Sequence, residues 1–439
     1  MPELNVSTLP MNPLYNAGIH LYSAAARAAS LKSDKVRRML RGQRDTAARL
    51  AAFRRDLAPD GFDVWFHASS LGEFEQARPL VDRLLAERPG CRILVSFFSP
   101  SGYEVRHSYD PRVAVVYLPF DTPAGVRSFL DAARPRMAIF VKYEFWGNYL
   151  SELRRRSIPT YIISSIFRPG QIFFRPWGGM FRRILRCFDH LYVQDEASRK
   201  LLEGIGIDNV TVAGDTRFDR VWTVTSQPRP LPEFDRFASD SRSAGARMLV
   251  VGSSWQPDED IYIPRLLASP GWRAIIAPHE FDGQRLEQLL RRFPAGEAML
   301  LSQYRRAIGT GEDTAGVKYI IVDCFGLLSS IYRYADVAYI GGGFGTGIHN
   351  INEAAAHSVG VVFGPRHYKF KEATDLQECG GGFCIHSESD FNTLFDTFDS
   401  QPGRLADAGK AAGNYIRTHI GASGIILHDL FHLDPQPKS

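Results

Sequence analysis

The sequence predicts an α/β protein of two doubly wound domains, each a parallel sheet wrapped by helices. Three observations carry that expectation. Short β-branched, aliphatic and aromatic runs alternate with amphipathic stretches of about ten to fifteen residues, as buried parallel strands with crossover helices require. The alternation stops at a polar, proline-bearing stretch and then starts again. Finally, 439 residues exceed one ordinary core at roughly 150 residues per domain.

In the first half the strand candidates are residues 63–68, 92–97, 114–118, 137–141, 160–164, 190–193 and 210–213, with helix-like stretches such as 77–87 and 197–204 between them. Residues 223–232 contain Pro228, Pro230 and Pro232, show little periodicity, and read as a linker. The second series runs 248–251, 273–277, 319–322, 337–340, 361–363 and 383–386. The expected division is an N-terminal helical, membrane-proximal segment (1–61), a first domain (62–222), the linker (223–232) and a second domain (233–439). Ligands of doubly wound sheets lie beyond the carboxyl ends of the strands, so a cleft between the domains is the expected site.

Composition narrows the function classes. Hydrophobic residues at 44% and charged residues at 23% are those of a soluble globular chain and exclude a disordered or low-complexity one. A net charge of +4 is small for this length and argues against a dedicated nucleic-acid binder. Five cysteines (Cys91, Cys187, Cys324, Cys379, Cys384) do not make a disulfide framework in so long a chain, and reduced thiols suggest the cytoplasm. Cys379 and Cys384 bracket Gly380, Gly381 and Gly382 without a second Cys/His pair, so they read as a turn beside a strand and not as a metal site.

No apolar run reaches the ~20 residues of a membrane span. The nearest, 14–31, is broken by Asn16, His20 and Arg27 and lacks a signal-peptide cleavage site. It leads into Lys32, Lys35, Arg37, Arg38 and Arg41. Two readings stand: a helix packed on its own domain with a solvated basic face, the simpler one, or a surface helix held to anionic lipid, at about 1 kcal/mol per basic residue.

Loops after the strands gather the polar residues. His67-Ala-Ser69-Ser70-Leu-Gly72-Glu73 joins a strand to a helix. Gly72 suits a tight turn there, and Ser69 or Ser70 can cap. Glu73 either caps the helix, worth about 0.3–1 kcal/mol, or faces the cleft as a general base. Another strand ends in Lys142-Tyr143-Glu144-Phe145-Trp146-Gly147-Asn148, which brings a second carboxylate to the same sheet edge, as a cap or as a catalytic group. In the second half, Gly252-Ser253-Ser254-Trp255 allows close approach of a ligand, and Pro278-His279-Glu280 closes a further strand. Gly341-Gly342-Gly343-Phe344-Gly345-Thr346-Gly347-Ile348-His349-Asn350 then enters a helix expected over 351–357 that carries Glu353. Glycines before a helix offer backbone N–H groups to an anion, and Glu353 is placed for ribose hydroxyls. Arg366 and Lys369 follow and add positive charge beside the same cleft. Aromatics alternate with Arg168, Arg175, Arg182 and Arg183 between Phe167 and Ile184. Such a segment suits a lipid surface or phosphorylated lipid, or simply packs on the sheet.

These stretches, in this order, resemble Kdo transferase, which moves 3-deoxy-D-manno-octulosonic acid (Kdo) from CMP-Kdo to the lipid A precursor. The matching pieces are His67-x-x-Ser70-x-Gly72-Glu73, Glu144-Phe-Trp146-x-Asn148, Gly214-Asp-Thr-Arg217-Phe218-Asp219, Gly252-Ser253, Pro278-His279-Glu280, and Gly342-Gly343 through His349-Asn350-x-x-Glu353 to Gly364-Pro365 and Phe370. The resemblance implies a GT-B glycosyltransferase with two Rossmann-like domains facing across a cleft, acceptor on the first and sugar nucleotide on the second. It implies an inverting, metal-independent transfer to a glucosamine 6-hydroxyl, with no cofactor and with Glu73 as base. Glu144 becomes a second acidic group of the acceptor side. Arg217, Ser253, Ser254, His279, Gly342, Gly343, His349, Asn350 and Glu353 become donor-binding residues. Ser70, Gly72, Arg168 and Arg175 are acceptor or phosphate candidates. The implied partners are CMP-Kdo, a lipid A precursor and the cytoplasmic face of the inner membrane of a Gram-negative bacterium, with no nucleic acid.

Departures from the family pattern mark a divergent branch. Lys142 stands for an acidic residue, Trp146-Gly147 for Trp-Pro, and Arg217 for lysine. Pro278 directly precedes His279 where an arginine is usual, and the glycine loop is a residue shorter. Alternatives are a GT-B transferase or epimerase using another sugar nucleotide, or a non-catalytic membrane-associated relative.

Overall fold

The computed structural model describes residues 13–434 apart from Pro228, Phe281 and Lys369. The chain forms two compact units, one of residues up to Arg220 together with those from Ile420 onward, the other Val221–His419.

The first unit opens with two helices, α1 (Pro13–Ala29) and α2 (Asp34–Asp56). Strands β1 (Val64–Ala68), β2 (Ile93–Phe97), β3 (Val113–Tyr117), β4 (Ala138–Val141), β5 (Thr160–Ser165), β6 (His190–Val193) and β7 (Val210–Val212) follow. The crossovers are α3 (Leu71–Glu87), α4 (Pro100–Arg106), α5 (Pro123–Ala133), α6 (Gly147–Arg155), α7 (Gly179–Leu185) and α8 (Glu196–Glu203), and α9 (Thr216–Ser226) leaves the sheet. The strands pair in parallel in the order β3-β2-β1-β4-β5-β6-β7. Both faces are covered, which is why β3 and β4 read as unbroken hydrophobic runs and β1 and β2 are interrupted only by the buried His67 and Ser96. Helix α9 continues to Ser226, so part of the stretch expected as linker is helical.

The second unit holds α10 (Pro232–Ser243), β8 (Arg247–Ser254), α11 (Gln256–Ala268), β9 (Trp272–Pro278), α12 (Gly283–Leu290), β10 (Ala298–Leu300) and α13 (Leu301–Thr310). It continues with β11 (Tyr319–Ile321), α14 (Leu328–Ile331), β12 (Val337–Ile340), α15 (Asn352–Ala356), β13 (Gly360–Phe363), α16 (Lys371–Glu378), β14 (Gly382–Cys384), α17 (Glu388–Ser400) and α18 (Gly403–His419). Its parallel order is β10-β11-β9-β8-β12-β13-β14. Strand β10 was not expected: three half-buried residues at a sheet edge leave little hydrophobic signal.

The final helix, α19 (Ala422–Phe431), does not extend the second unit as the sequence division had it. Ile426, Leu427 and Phe431 instead pack among Phe66, Leu80 and Leu84 of the first. Asp219 secures the return, its carboxylate accepting from the Gly421 and Ser423 amides at 2.6 and 3.0 Å.

The first sheet has its switch point between β1 and β4; in the second, where β11 lies between β10 and β9, the chain leaves the neighbours β8 and β12 in opposite directions. Crossover helices diverge there and leave a crevice at the carboxyl ends. Glu73 and Glu144 follow β1 and β4; Ser253 lies at the carboxyl end of β8, and the glycine loop follows β12.

Candidate active site

At the first switch point, Ser70 and Glu73 stand at the N-cap and N3 positions of α3, and the Glu73 carboxylate reaches back to cap. The Ser70 amide and hydroxyl donate to Glu73 Oε2 at 3.0 and 3.3 Å. Capping lowers a carboxylate's proton affinity, yet Glu73 is shifted upward. Burial is the main cause and the charge of Glu144 the second, and together they outweigh the Ser70 amide. Gly72 lies within the first turn of α3 with no left-handed φ, so it does not make the tight turn expected of it. A Cβ there would meet nothing within 4 Å, and the glycine leaves open space beside Glu73.

Glu144 is buried and doubly held. His67 Nε2 lies 3.0 Å from its Oε2, and the Trp146 indole N–H donates to the same oxygen. His67 Nδ1 contacts the Ser96 hydroxyl at 2.9 Å, which anchors the ring from β2. Lys142, just before, adopts φ 63°, and Ser164 and Ser253 take φ 51° and 55° at the ends of β5 and β8. Left-handed backbone is costly for residues with a Cβ, at roughly 1–3 kcal/mol, and clusters at functional loops. Both serines sit where the strand register slips.

Tyr143 marks where this crevice gathers charge. Burial raises its hydroxyl pKa, Arg168 and Arg217 pull it back, and Asp215 and Glu73 push it up. Arg217, expected with the donor residues, lies in the first unit, ion-paired to buried Asp215 at 2.7 Å. Gln76 holds the other Asp215 oxygen at 2.9 Å. In the aromatic–arginine segment Phe167 and Phe173 pack with Phe145 in the core, so the ring half of that pattern is structural. Arg168, Arg175 and Trp177 remain exposed.

At the second switch point the glycine loop closes on itself. The Gly345 and Gly347 amides donate to the Gly342 carbonyl at 2.9 and 3.0 Å. Buried Asp258 accepts the Gly342 amide at 2.9 Å, the Trp255 amide at 2.9 Å and the Tyr339 hydroxyl at 3.1 Å. The Gly342 amide is therefore committed within the protein, contrary to its expected role toward an anion. Gly343 is fixed by packing, because a Cβ would lie 2.5 Å from the Gly364 backbone. Ser254 is buried and accepts from the Tyr262 hydroxyl, so only Ser253 of that pair reaches the surface layer.

Three rings organise the rest. The His279 ring centroid lies 4.4 Å from that of Trp255 and 4.5 Å from that of His349, at 26° to each. The Trp255 indole N–H donates to His349 Nε2 at 3.3 Å, so Trp255 and His349 sit edge to edge and His279 lies over one face of the pair. Burial and His279 hold His349 neutral, down to about 4, which agrees with Nε2 acting as acceptor. Asn350 donates to Glu353 Oε1 at 2.9 Å and accepts the Asn352 amide, joining the loop to α15. Arg366 bonds the Gly345 carbonyl, and Lys369 lies outside the described residues.

Sequence reasoning missed Asp121, Asp215, Trp255 and Asp258. The spacing of Trp255 and Asp258 is that of a capping box, hidden because the N-cap residue is not Ser or Thr. Among the described residues no group of three or more His, Cys, Asp or Glu side chains is arranged to hold a metal ion. All five cysteines are unpaired.

Residues 28–220 match the family described as 3-deoxy-D-manno-octulosonic-acid transferase (kdotransferase). A 3-deoxy-D-manno-octulosonic acid transferase of Bordetella pertussis is 27% identical over 387 residues, covering 83% of this chain and 86% of its own. That of Chlamydia trachomatis serovar D is 26% identical over 367 residues, covering 78% and 79%. This chain is a divergent relative of the Kdo transferases. Its fold is of the GT-B type that the Kdo transferase resemblance implies. UDP-GlcNAc 2-epimerase from Neisseria meningitidis superposes with a TM-score of 0.55 at 12% identity, over 84% of this chain and all of that one. A UDP-N-acetylglucosamine 2-epimerase from Listeria monocytogenes gives 0.54 at 11%, over 85% and 98%. At such identities the likeness concerns the fold alone.

Proposed function

We propose that this Kdo transferase relative moves Kdo from CMP-Kdo to the glucosamine 6-hydroxyl of a lipid A precursor, with inversion. The observation that carries the reading is the position of Glu73: at the switch point, beside the open space over Gly72, with its proton affinity raised by burial and by Glu144. A carboxylate shifted toward neutral pH is a better base than an ordinary one.

In the proposed step Glu73 accepts the proton of the acceptor hydroxyl. The oxygen bonds to the anomeric carbon of Kdo while the bond from that carbon to the CMP phosphate oxygen breaks, and the electron pair leaves with CMP. Glu144 keeps the charge that tunes Glu73, and His67 with Trp146 holds it in place. The second unit takes the nucleotide in this reading, with Ser253, His279, His349, Asn350 and Glu353 nearest the ligand and Asp258 keeping the glycine loop in shape. Arg168 and Arg175 are assigned to acceptor phosphates.

Helix α1 supplies the place where a lipid-bound acceptor would be met. On α1, Leu14 and Leu21 are 78% and 73% exposed and Arg27 adds charge; Leu31, 81% exposed, follows in the turn that leads through Lys32 to Lys35 of α2. The simpler expectation, apolar residues packed on the domain, does not describe these leucines. No described helix is long and apolar enough to cross a membrane. An apolar stripe flanked by basic residues suits a helix lying in the interface of an anionic membrane.

The test is mass spectrometry of a lipid A precursor incubated with the purified protein and CMP-Kdo, with UDP-sugars in parallel. Addition of Kdo from CMP-Kdo alone supports the reading. Transfer from a UDP-sugar, or no transfer from either, overturns it.

A further inference from the structure

The first turn of α6 follows directly on the Glu144 loop, and it is capped from outside. Its N-cap residue, Trp146, makes no side-chain bond to the helix amides, because an indole has no acceptor to offer them; its N–H donates to Glu144 instead. The orphan amides go elsewhere. Gly147 donates to the Tyr15 hydroxyl at 2.9 Å, Asn148 to Asp121 Oδ2 at 3.0 Å, and Tyr149 to Asp121 Oδ1 at 2.8 Å. Tyr15 in turn donates to Asp121 Oδ2 at 2.6 Å, and the Asn148 side-chain amide donates to Asn16 Oδ1 at 2.8 Å. Asp121 is wholly buried in the loop between β3 and α5, and Tyr15 and Asn16 belong to α1.

Each helix N-terminus leaves four N–H groups to be satisfied, and here three are met by two side chains from distant parts of the chain. Any motion of the α6 terminus moves Trp146, and Trp146 holds Glu144. A line of hydrogen bonds thus runs from α1 through Tyr15 and Asp121 to Gly147–Tyr149, Trp146, Glu144 and His67.

We propose that Asp121 and Tyr15 are positioning residues for the acceptor-side carboxylate: by capping α6 from outside they fix the Glu144 loop and tie it to α1. Neither residue touches the reacting atoms. The inference concerns how Glu144 is held, and its link to turnover rests on the transferase reading.

Gly147 offers a specific check. Trp146 has φ −78° and ψ 99°, a conformation that a residue preceding proline readily adopts. Proline at N1 of a helix needs no partner for an N–H and is pre-set for the helical φ. Gly147→Pro should therefore restore locally what loss of the Tyr15 hydroxyl removes.

The experiment compares wild type, Tyr15→Phe, Asp121→Asn and Tyr15→Phe/Gly147→Pro in the full chain. Amide hydrogen exchange at Asn148 and Tyr149 is measured alongside steady-state transfer with a detergent-dispersed acceptor. Expected are exchange at least tenfold faster at those two amides in Tyr15→Phe, with β1 and β2 unchanged, and a fall of tenfold or more in kcat with donor KM within twofold. The double variant should recover most of both. Unchanged exchange in Tyr15→Phe, or no recovery on adding Gly147→Pro, overturns the proposal, and Tyr15→Phe alone decides the matter if Asp121→Asn does not fold. The exchange arm needs no activity. A wild type that transfers no Kdo therefore defeats the transferase reading, while the positioning role is still decided by the amides.

Discussion

His67 and Glu144 form a buried pair across the first switch point, Nε2 to Oε2 at 3.0 Å, joining the end of β1 to the loop after β4. The two members act oppositely on Glu73: the charge of Glu144 is the second cause of its upward shift, after burial, and His67 lowers it by less.

The pH dependence of turnover follows. Glu73 acts as base only when ionised, so the rate should fall as pH drops through a pKa above that of an ordinary glutamate. Glu144→Gln removes a raising charge and should move this acid limb to lower pH, provided turnover stays measurable. Glu73→Gln should lower turnover by about 10²–10⁴ with donor KM little changed, since the amide can still cap the helix. Initial rates from pH 5 to 9 test both; an acid limb that does not move in Glu144→Gln contradicts the coupling.

Removing the ring partner is a question of stability. His67→Ala leaves a buried carboxylate with one fewer donor and opens a void under Trp65, at an expected loss of about 2–4 kcal/mol. His67→Gln, which can still donate toward Glu144, should lose less. Urea unfolding followed by tryptophan fluorescence reads the difference, and equal losses in the two variants would refute the hydrogen-bond account.

Asp258 is expected to govern the donor side. Asp258→Ala strands the Gly342 and Trp255 amides, each worth about 1–3 kcal/mol when buried without a partner. The glycine loop and the Trp255–His349 contact should loosen together. Donor KM rising at least tenfold, with a smaller change in acceptor KM, is the expected result of steady-state kinetics.

A fourth prediction concerns Asp121, whose carboxyl is pushed up to about 6, chiefly by burial, against the ordinary 3.8. Between those values the folded protein binds the extra proton, so this group's stabilising contribution is full below pH 4 and declines as pH rises through 6. Asp121→Asn lacks that titration. Its deficit relative to wild type should thus be larger at pH 5 than at pH 7.5 in urea unfolding; a deficit that grows with pH would contradict the assignment.

The leucines of α1 give a fifth. Leu14→Glu/Leu21→Glu should weaken sedimentation with phosphatidylglycerol-containing vesicles at least tenfold, given ~1.5–3 kcal/mol for burying each leucine. Turnover on a detergent-dispersed acceptor should be unaffected, and vesicle binding equal to wild type would remove α1 from that role.

Much of this arrangement was legible in the sequence. Continuous hydrophobic runs such as Val113–Tyr117 announce strands buried on both faces, and loop residues fall at strand ends by simple counting. Glu73 at N3 was readable as a cap and as a base; the structure shows the cap, and the base is the role proposed for it. What escaped was long-range. Asp121 lies 27 residues from the amide of Asn148 that it caps, and Asp258 lies 84 from the Gly342 amide. No local pattern encodes such bonds, because the topology brings the partners together. The Gly342 amide escaped for the same reason: it reads as open to an anion in the sequence, and Asp258 fills it in the fold.

Gly147 stands where the family resemblance leads one to expect proline. A pyrrolidine ring would stiffen that turn by covalent geometry, whatever happened elsewhere in the molecule. Glycine hands the task to a phenol on another helix, so the stiffness becomes conditional. It can be lost and regained without breaking any covalent bond. In place of a permanent hinge pin, this chain has a removable one.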